Sequence, residues 1–240
     1  MKSDEIHPPG YEPHIGESRQ YWRDIILGVN DGLVSIYLLI VGVSAGGLIS
    51  DQILLTGIAG ALAGAVSMAA GEFLATKSQD EVLSAELELE RTHIAKFRDA
   101  EFDQLRGFFA DMGVKPEHLD GVLEAFADND EALLQAMAAL EFGFLAKERR
   151  SPYRAMFASG ALFLFGSLPS VIPFAVFGDV FEATVAATVL TMAGLFLVGV
   201  VKANVTKTGR VRSGLENLVI AGLGGVVAWL LGRAVGNALG

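Results

Sequence analysis

Long apolar segments alternate with polar ones along this chain, and the pattern predicts helices that cross a membrane. The five apolar segments run from about Ile25 to Ile49, Ile53 to Ala75, Tyr153 to Phe177, Phe181 to Lys202 and Leu215 to Val235. Each contains about 20 residues or more, enough for an α-helix to span a hydrocarbon core of ~30 Å. The hydrophobic share of the chain, 52%, also exceeds that of an ordinary soluble domain.

The polar segment between the second and third apolar segments predicts a helical insertion. Its first helix is expected from Thr76 to Phe109, because no Gly or Pro interrupts residues 72–106. A second helix is expected from Pro116 to about Ala127. A third, capped by Asp128-Asn129-Asp130, is expected to reach about Lys147. The predicted fold is therefore an all-α membrane protein with five transmembrane helices and a three-helix cytosolic insertion between the second and third.

The positions of lysine and arginine predict the orientation. Bases occur in the N-terminal tail, around the insertion and between the fourth and fifth spans, but not in the two short turns of the opposite face. The N-terminus and the insertion are therefore expected in the cytosol, and the C-terminus outside. The predicted parts are a flexible cytosolic tail (1–20), transmembrane helices 1 and 2 (21–75), the acidic insertion (76–150) and transmembrane helices 3–5 (151–240).

Charge and cysteine content restrict the partners. The chain carries a net charge of −10, and residues 75–150 hold 17 acids against 9 bases, so a nucleic-acid partner is not expected. The absence of Cys excludes disulfides and thiolate metal sites. The tail has neither a signal-peptide core nor transit-peptide character. We therefore expect a prokaryotic inner membrane, with a vacuolar membrane as the alternative.

Several polar side chains fall inside the predicted spans, where they are costly and often functional. Asp31 lies in the first span, and Met68 and Glu72 share a face of the second by their i,i+4 spacing. A thioether beside carboxylates favours a first-row divalent ion such as Fe²⁺ or Mn²⁺ over Mg²⁺ or Ca²⁺. The residues that flank this side are possible accessory groups: Asn30, Lys202 and Glu216. The alternative is a structural ion pair of Asp31 or Glu72 with Lys202.

Acidic residues of the insertion form a second candidate site. On one continuous helix, five side chains would fall within an arc of about 80°: Glu86, Glu90, His93, Glu101 and Gln104. Met137 and Glu141 form an i,i+4 pair on the third helix. These groups either bind a metal ion together or form a solvated acidic face.

One short motif in the insertion suggests a different chemistry. Glu90-Arg91-Thr92-His93 is a Glu-x-x-His sequence of the kind that di-iron carboxylate proteins use in pairs. A self-contained di-iron oxidase would need a second copy, which this chain lacks, although a homodimer would supply one. We therefore expect that the protein is not an enzyme.

Three short motifs resemble signatures of the vacuolar iron transporter family (the VIT/CCC type). They are Asn30-Asp31-Gly32-Leu33-Val34-Ser35, Ser67-Met68-Ala69-Ala70-Gly71-Glu72 and Arg212-Ser213-Gly214-Leu215-Glu216. The resemblance extends from about Tyr21 to the end of the chain. It implies a homodimer that exports Fe²⁺ or Mn²⁺ from the cytosol in exchange for protons.

The resemblance also implies roles for particular residues. Asp31, Met68 and Glu72 correspond to the family's transport path, and the insertion's metal ligands correspond to four positions: Glu90, Glu101, Met137 and Glu141. This chain departs from the family pattern at His93 and Gln104, where the family typically repeats Glu. The substitutions remove two carboxylates and introduce an imidazole, which titrates near neutrality.

Two functions are therefore expected from the sequence. The first is proton-coupled export of Fe²⁺ or Mn²⁺, captured by the acidic cytosolic insertion. The second is a membrane-anchored metal-binding or scaffold protein without transport. No permanently bound cofactor is expected, and Co²⁺, Ni²⁺ and Zn²⁺ are further candidate ions. The expected partners are the lipid bilayer, divalent metal ions, protons and a second copy of the chain.

Overall fold

The structure is a computed structural model that describes residues 18–143 and 150–239, in which the ordered elements are α-helices. Within these ranges the helices are α1 (Ser18–Ala45), α2 (Ser50–Lys96), α3 (Arg98–Asp111), α4 (Pro116–Glu124), α5 (Asp130–Glu141), α6 (Pro152–Val176), α7 (Val180–Thr206) and α8 (Arg210–Leu239). The described ranges contain no strand. Most of the predicted N-terminal tail, residues 1–17, lies outside them.

Five of these helices are long and apolar enough to cross a membrane: α1, α2, α6, α7 and α8. The predicted spans are confirmed, and the chain is a multi-pass membrane protein. The first turn differs slightly from the prediction. It lies at residues 46–49, where Gly47 adopts φ +90°, while Ser50, Asp51 and Gln52 already form the start of α2.

The chain divides into two compact units, which are described separately. Unit 1 comprises residues 1–72 and 156–240, and unit 2 comprises Phe73–Ala155. Helix α2 belongs to both, since its apolar first part lies in unit 1 and its polar second part in unit 2. Its length of 47 residues confirms that the helix continues well beyond the apolar span.

In unit 1, successive membrane helices run in opposite directions and approach closely at glycines. A Cβ atom on Gly232 would lie 1.9 Å from the carbonyl oxygen of Gly42, and one on Gly236 would lie 2.6 Å from that of Gly46. Helices α1 and α8 are therefore parallel, and their backbones are almost in contact at the C-terminal ends of both helices. Such close approach through small residues is how helices associate strongly in lipid.

Several polar side chains within the bundle are satisfied inside the protein. Ser167 donates to the carbonyl oxygen of Phe163 at 2.8 Å, and the hydroxyls of Ser170 and Thr191 are 2.9 Å apart. Ser44 and Thr184 are linked between α1 and α7 at 3.0 Å. These bonds replace the water that the hydrocarbon core does not provide.

Unit 2 contains the second half of α2 together with α3, α4 and α5, around a small apolar core. Its fully buried members include Leu105, Leu133 and Met137. Two predicted helix ends are wrong. The second helix ends at Glu124 rather than near Ala127. The third helix ends at Glu141 rather than near Lys147, which itself lies outside the described residues. Gly143 follows with φ +65°, a conformation typical of helix termination.

The predicted continuous helix from Thr76 to Phe109 is also wrong, since it breaks at Phe97. This residue has φ −131° and ψ 36°, which ends α2, and its carbonyl oxygen accepts from the amides of Ala100 and Glu101 at the start of α3. Arg98 then pairs with Asp130 and donates to the carbonyl oxygen of Ala127. The break allows Leu105 of α3 to join the core beside Ile94 of α2.

We expect Gly232→Ala to destabilise the membrane bundle. The new methyl group would overlap the carbonyl oxygen of Gly42, and overpacking of this kind costs about 1–3 kcal/mol. Gly222→Ala is the matched control on the same helix, because its Cβ would meet no atom within 4 Å. Thermal unfolding in detergent should show a lower melting temperature for Gly232→Ala only. Equal melting temperatures would show that α1 and α8 do not make this contact.

Candidate functional site

Two carboxyl groups and one imidazole come together in unit 2. Glu90 and His93 lie on α2, Glu101 lies on α3, and one ligand atom from each lies within 4.8 Å of the others. The Nδ1 atom of His93 is 3.8 Å from Glu90 Oε2 and 3.6 Å from Glu101 Oε1. Both glutamates are buried, whereas His93 is partly exposed. The cluster therefore has a buried acidic side and an imidazole side that faces solvent.

The break at Phe97 is what creates this cluster. Glu90 and His93 are neighbours on any helix by their i,i+3 spacing. Glu101 follows Glu90 by eleven residues, and on a straight helix the two would be separated by ~16 Å. Because the chain turns between them, their carboxyl groups meet at the same imidazole. The Phe97 ring also contacts the His93 ring edge-on, with centroids 6.3 Å apart.

The two buried carboxyl groups are poorly satisfied by the protein itself. Glu90 Oε1 and Glu101 Oε2 are inaccessible to solvent and have no hydrogen-bond partner. Burial, together with the negative charges of Glu101 and Glu141, raises the pKa of Glu90 to about 7. An ionised buried carboxylate without a counterion is unfavourable. The site therefore favours either a proton or a cation.

The donor set indicates which cation would fit. Two carboxylate oxygens and one imidazole nitrogen suit first-row transition ions better than Mg²⁺ or Ca²⁺, which prefer oxygen ligands alone. Three protein ligands leave further coordination positions for water. Such a site can bind an ion and release it again.

Neither Glu86 nor Glu141 belongs to this group of three, although both were predicted as part of the same site. Glu141 is exposed, but its charge contributes to the raised pKa of Glu90. Met137 is fully buried in the apolar core of unit 2. Gln104 is exposed, and Glu86 is partly buried.

In unit 1, Asp31 lies partly buried on α1. Its Oδ1 accepts a hydrogen bond from Ser35 Oγ at 3.0 Å. The preceding residue, Asn30, has a buried Oδ1 without a partner. Within the described ranges, neither Asp31 nor Lys202 has an ion-pair partner within 4.0 Å, so the alternative pairing of these two residues gains no support from the structure.

Glu72 has a different neighbour from those considered in the sequence. Its Oε1 is 4.0 Å from Arg23 Nη2, and the same nitrogen is 3.3 Å from Asp24 Oδ1. Asp24 is only 8% exposed. Its spacing of seven residues from Asp31, which places both on one face of α1, is the signal that would have identified it.

The residues predicted to form a transport path lie on α1 and α2. Arg23, beside Glu72, precedes Asp31 by eight residues, or about 12 Å of helix. Met68 lies one turn from Glu72 and packs partly buried against the main apolar core. Lys202 and Glu216 lie elsewhere, in a pocket at the connection of α7 and α8.

Comparison with known proteins places these features in a family. The sequence model of the VIT family matches residues 22–233. Vacuolar iron transporter 1 of Arabidopsis thaliana is 29% identical over 213 residues, which cover 89% of this chain and 85% of that protein. Vacuolar iron transporter 2 of Oryza sativa subsp. japonica is 31% identical over 216 residues, covering 89% and 87%.

The raised pKa of Glu90 predicts a pH-dependent stability of the metal-free insertion. A carboxyl group with a folded-state pKa of about 7 and an ordinary value of 4.5 binds its proton more tightly when folded. The stabilisation is complete below pH 4.5 and is lost as the pH rises through about 7. Hydrogen–deuterium exchange with a chelator present should show that protection of the unit 2 core decreases from pH 5 to pH 8.

A matched pair of variants tests the assignment to Glu90. Glu90→Gln removes the ionisable group and should make protection nearly independent of pH. Glu88→Gln removes the same charge from a side chain that is 76% exposed, and it should behave like the unmodified protein. Identical pH profiles for both variants would show that another group is responsible.

Proposed function

This chain belongs to the VIT family, and on that premise we propose that it exports Fe²⁺ or Mn²⁺ from the cytosol across a membrane in exchange for protons. The names of its relatives, vacuolar iron transporters, support a role in metal transport. The observation that carries the proposal is the buried cluster of Glu90, His93 and Glu101, whose donors suit such an ion.

Capture of the ion takes place at this cluster. Two buried carboxyl oxygens without partners offer ligand positions, and the exposed side of His93 gives access from solvent. A divalent ion would neutralise the acidic pair and displace the proton that Glu90 holds near neutral pH. Glu141 adds a negative charge close enough to act on Glu90, which raises the local concentration of cations.

Passage through the membrane uses the polar residues of unit 1. Glu72 and Met68 receive the ion, and Asp31 carries either the ion or a proton further along the bundle. Asp24 adds a buried carboxyl group beside Glu72. The Arg23 guanidinium lies between these two acids, so an arriving cation would have to displace it.

The orientation and assembly follow from the sequence. The distribution of bases favours a cytosolic N-terminus and insertion and an external C-terminus. A homodimer is the assembly that the family resemblance implies. The relatives' names support the vacuolar membrane, the alternative to the prokaryotic inner membrane expected from the tail.

A membrane-anchored metal-binding protein without transport is the second candidate. The pairing of Arg23 with Glu72 favours it, because a structural ion pair would have the same geometry. The buried Asn30 Oδ1 and the adjacent Asp31 argue for transport, since an anchor has no use for polar groups at this depth.

The capture step predicts that Glu101→Gln weakens metal binding. The variant keeps the size of the side chain but removes one of three ligands, and the affinity for Mn²⁺ or Co²⁺ should fall by at least about tenfold. Titration calorimetry on the full chain in detergent is the measurement. Glu117→Gln, an exposed position on α4, is the control and should bind normally. Unchanged affinity in Glu101→Gln would exclude the cluster as the capture site.

The passage step predicts that Asp31→Asn slows transport without affecting capture. Removal of the ionisable oxygen should slow Mn²⁺ flux by at least about tenfold, or ~1.4 kcal/mol in the limiting step. Flux would be measured in liposomes with an imposed pH gradient, and metal binding on the same preparation. Asp51→Asn, exposed at the start of α2, is the control. Binding without flux in the unmodified protein would instead establish the anchored metal-binding function.

A further inference from the structure

A pocket of about 460 Å³ lies in unit 1 where α7 ends and α8 begins. Its lining residues are Lys202, Thr206, Thr208, Gly209, Arg212, Ser213 and Glu216. Five of these carry a cationic or hydroxyl group. The two threonine hydroxyls already bond to each other at 2.9 Å, and one of them donates to the carbonyl oxygen of Lys202 at 3.0 Å, so the side-chain donors left for a ligand are those of Lys202, Arg212 and Ser213. Neither the metal cluster of unit 2 nor the path residues of α1 and α2 contribute to it.

The charge around this pocket is opposite to that of the whole chain. Residues 202–216 contain four bases and one acid, whereas the complete sequence has a net charge of −10. Lys202 and Arg212 line the pocket itself. Arg212 Nε donates to Glu216 Oε1 at 3.2 Å, which leaves its remaining donors for another acceptor. The local excess of positive charge favours an anionic ligand.

The helix termini reinforce this preference. The first turn of the 30-residue α8, which includes Arg212, has amide groups without intrahelical acceptors, as at every helix N-terminus. The carbonyl groups at the C-terminal end of α7 already accept hydrogen bonds within the protein. Ala203 O accepts from the amides of Lys207 and Thr208, and Lys202 O accepts from Thr206 Oγ1. The pocket therefore offers a ligand donors from the first turn of α8 and from Lys202, while Glu216 is its side-chain acceptor.

Ser213 provides an independent indication of a ligand. It lines the pocket and is only 3% exposed, and its Oγ is buried without a hydrogen-bond partner. A buried hydroxyl of this kind is unfavourable unless something accepts its hydrogen. An anionic oxygen in the pocket would supply that acceptor.

A shallow apolar surface of α8, which we call the apolar groove, adjoins the pocket. It shares Arg212 and Glu216 with the pocket and is otherwise lined by Val211, Leu215, Val219 and Ile220. A charged pocket that continues into an apolar groove on a membrane helix has the shape of an amphipathic molecule. Neither a free phosphate ion nor a metal ion would use the groove.

We propose that this site binds an anionic phospholipid. Its phosphate interacts with Lys202, Arg212 and Ser213, and an acyl chain lies along Leu215 and Val219. Glu216 restricts the headgroup, because a carboxylate at the rim repels a second anionic group but accepts hydrogen bonds from hydroxyls. A phosphodiester with a hydroxylated headgroup, such as that of phosphatidylglycerol, satisfies both conditions.

The experiment compares lipids on the purified, delipidated full chain in detergent. Native mass spectrometry would measure binding of phosphatidylglycerol and of phosphatidylcholine with the same acyl chains, and thermal unfolding would measure the stabilisation by each. We expect bound phosphatidylglycerol and a higher melting temperature, with a much weaker effect of phosphatidylcholine. Equal binding of the two lipids would overturn the proposal.

Matched variants test which cationic side chain binds the phosphate group of the lipid. Arg212→Gln should lower the affinity for phosphatidylglycerol about fivefold, the effect of one cationic side chain near a membrane surface. Arg210→Gln removes the same charge two residues away, but the Arg210 Nε donates to Asn204 Oδ1 and the residue does not line the pocket. It should retain nearly full affinity. Equal losses in both variants would mean that only diffuse charge attracts the lipid.

Ser213→Ala separates ligand binding from folding. Without lipid, the variant should be at least as stable as the unmodified protein, because it removes an unsatisfied hydroxyl. With phosphatidylglycerol, it should gain less stabilisation. A variant that loses stability without lipid and keeps its full response to lipid would contradict the assignment of Ser213.

The apolar groove distinguishes the lipid from other occupants. Val219→Asn should weaken phosphatidylglycerol binding, whereas Val226→Asn, on the same helix and similarly exposed, should not. Inorganic phosphate should produce little stabilisation in any variant. If phosphate alone stabilised the protein as well as the lipid does, or if Val219→Asn changed the oligomeric state and left lipid binding intact, the lipid proposal would be wrong.

Discussion

This structure depends on one constraint, that buried polar groups must form hydrogen bonds. The membrane unit lies in a medium without water, so hydroxyls such as Ser167 and Thr191 bond within the protein. In the described part of the chain, the buried side-chain atoms that lack a partner are Asn30 Oδ1, Glu90 Oε1, Glu101 Oε2 and Ser213 Oγ. Each lies in a region proposed here to meet a cation or an anion, and these exceptions locate the candidate sites.

The membrane helices could be predicted from the sequence because their cause is local. An apolar run of sufficient length forms a helix in a bilayer whatever its neighbours are. The break at Phe97 has no such local cause, since neither Gly nor Pro lies nearby. It results from tertiary contacts, in which Leu105 joins Ile94 in the core and Arg98 binds Asp130. Propensity favoured a continuous helix, and packing overrode it.

The three residues that meet in unit 2 could be selected from the sequence, but the geometry that brings them together could not. An arc on one helix selects Glu90, His93 and Glu101, but it would leave Glu101 about three turns away. Met137 could not be distinguished from a ligand by spacing alone, because a thioether suits both a core and a metal ion. Its complete burial in the leucine-rich core is a tertiary property that the spacing does not show. Arg23 and Asp24 lie at the membrane boundary, where charges are too common to stand out.

Without a bound metal ion, the negative charge of the two regions proposed to receive metal is neutralised in different ways. Burial and neighbouring acids keep a proton on Glu90 near neutral pH. Glu72 instead lies beside the tethered cation of Arg23, which it shares with Asp24. A divalent ion would thus displace a proton at the first region and a guanidinium group at the second. Only the first of these exchanges releases a proton. Capture at Glu90 is then sensitive to pH, while reception at Glu72 depends on how readily Arg23, already 62% exposed, moves into solvent.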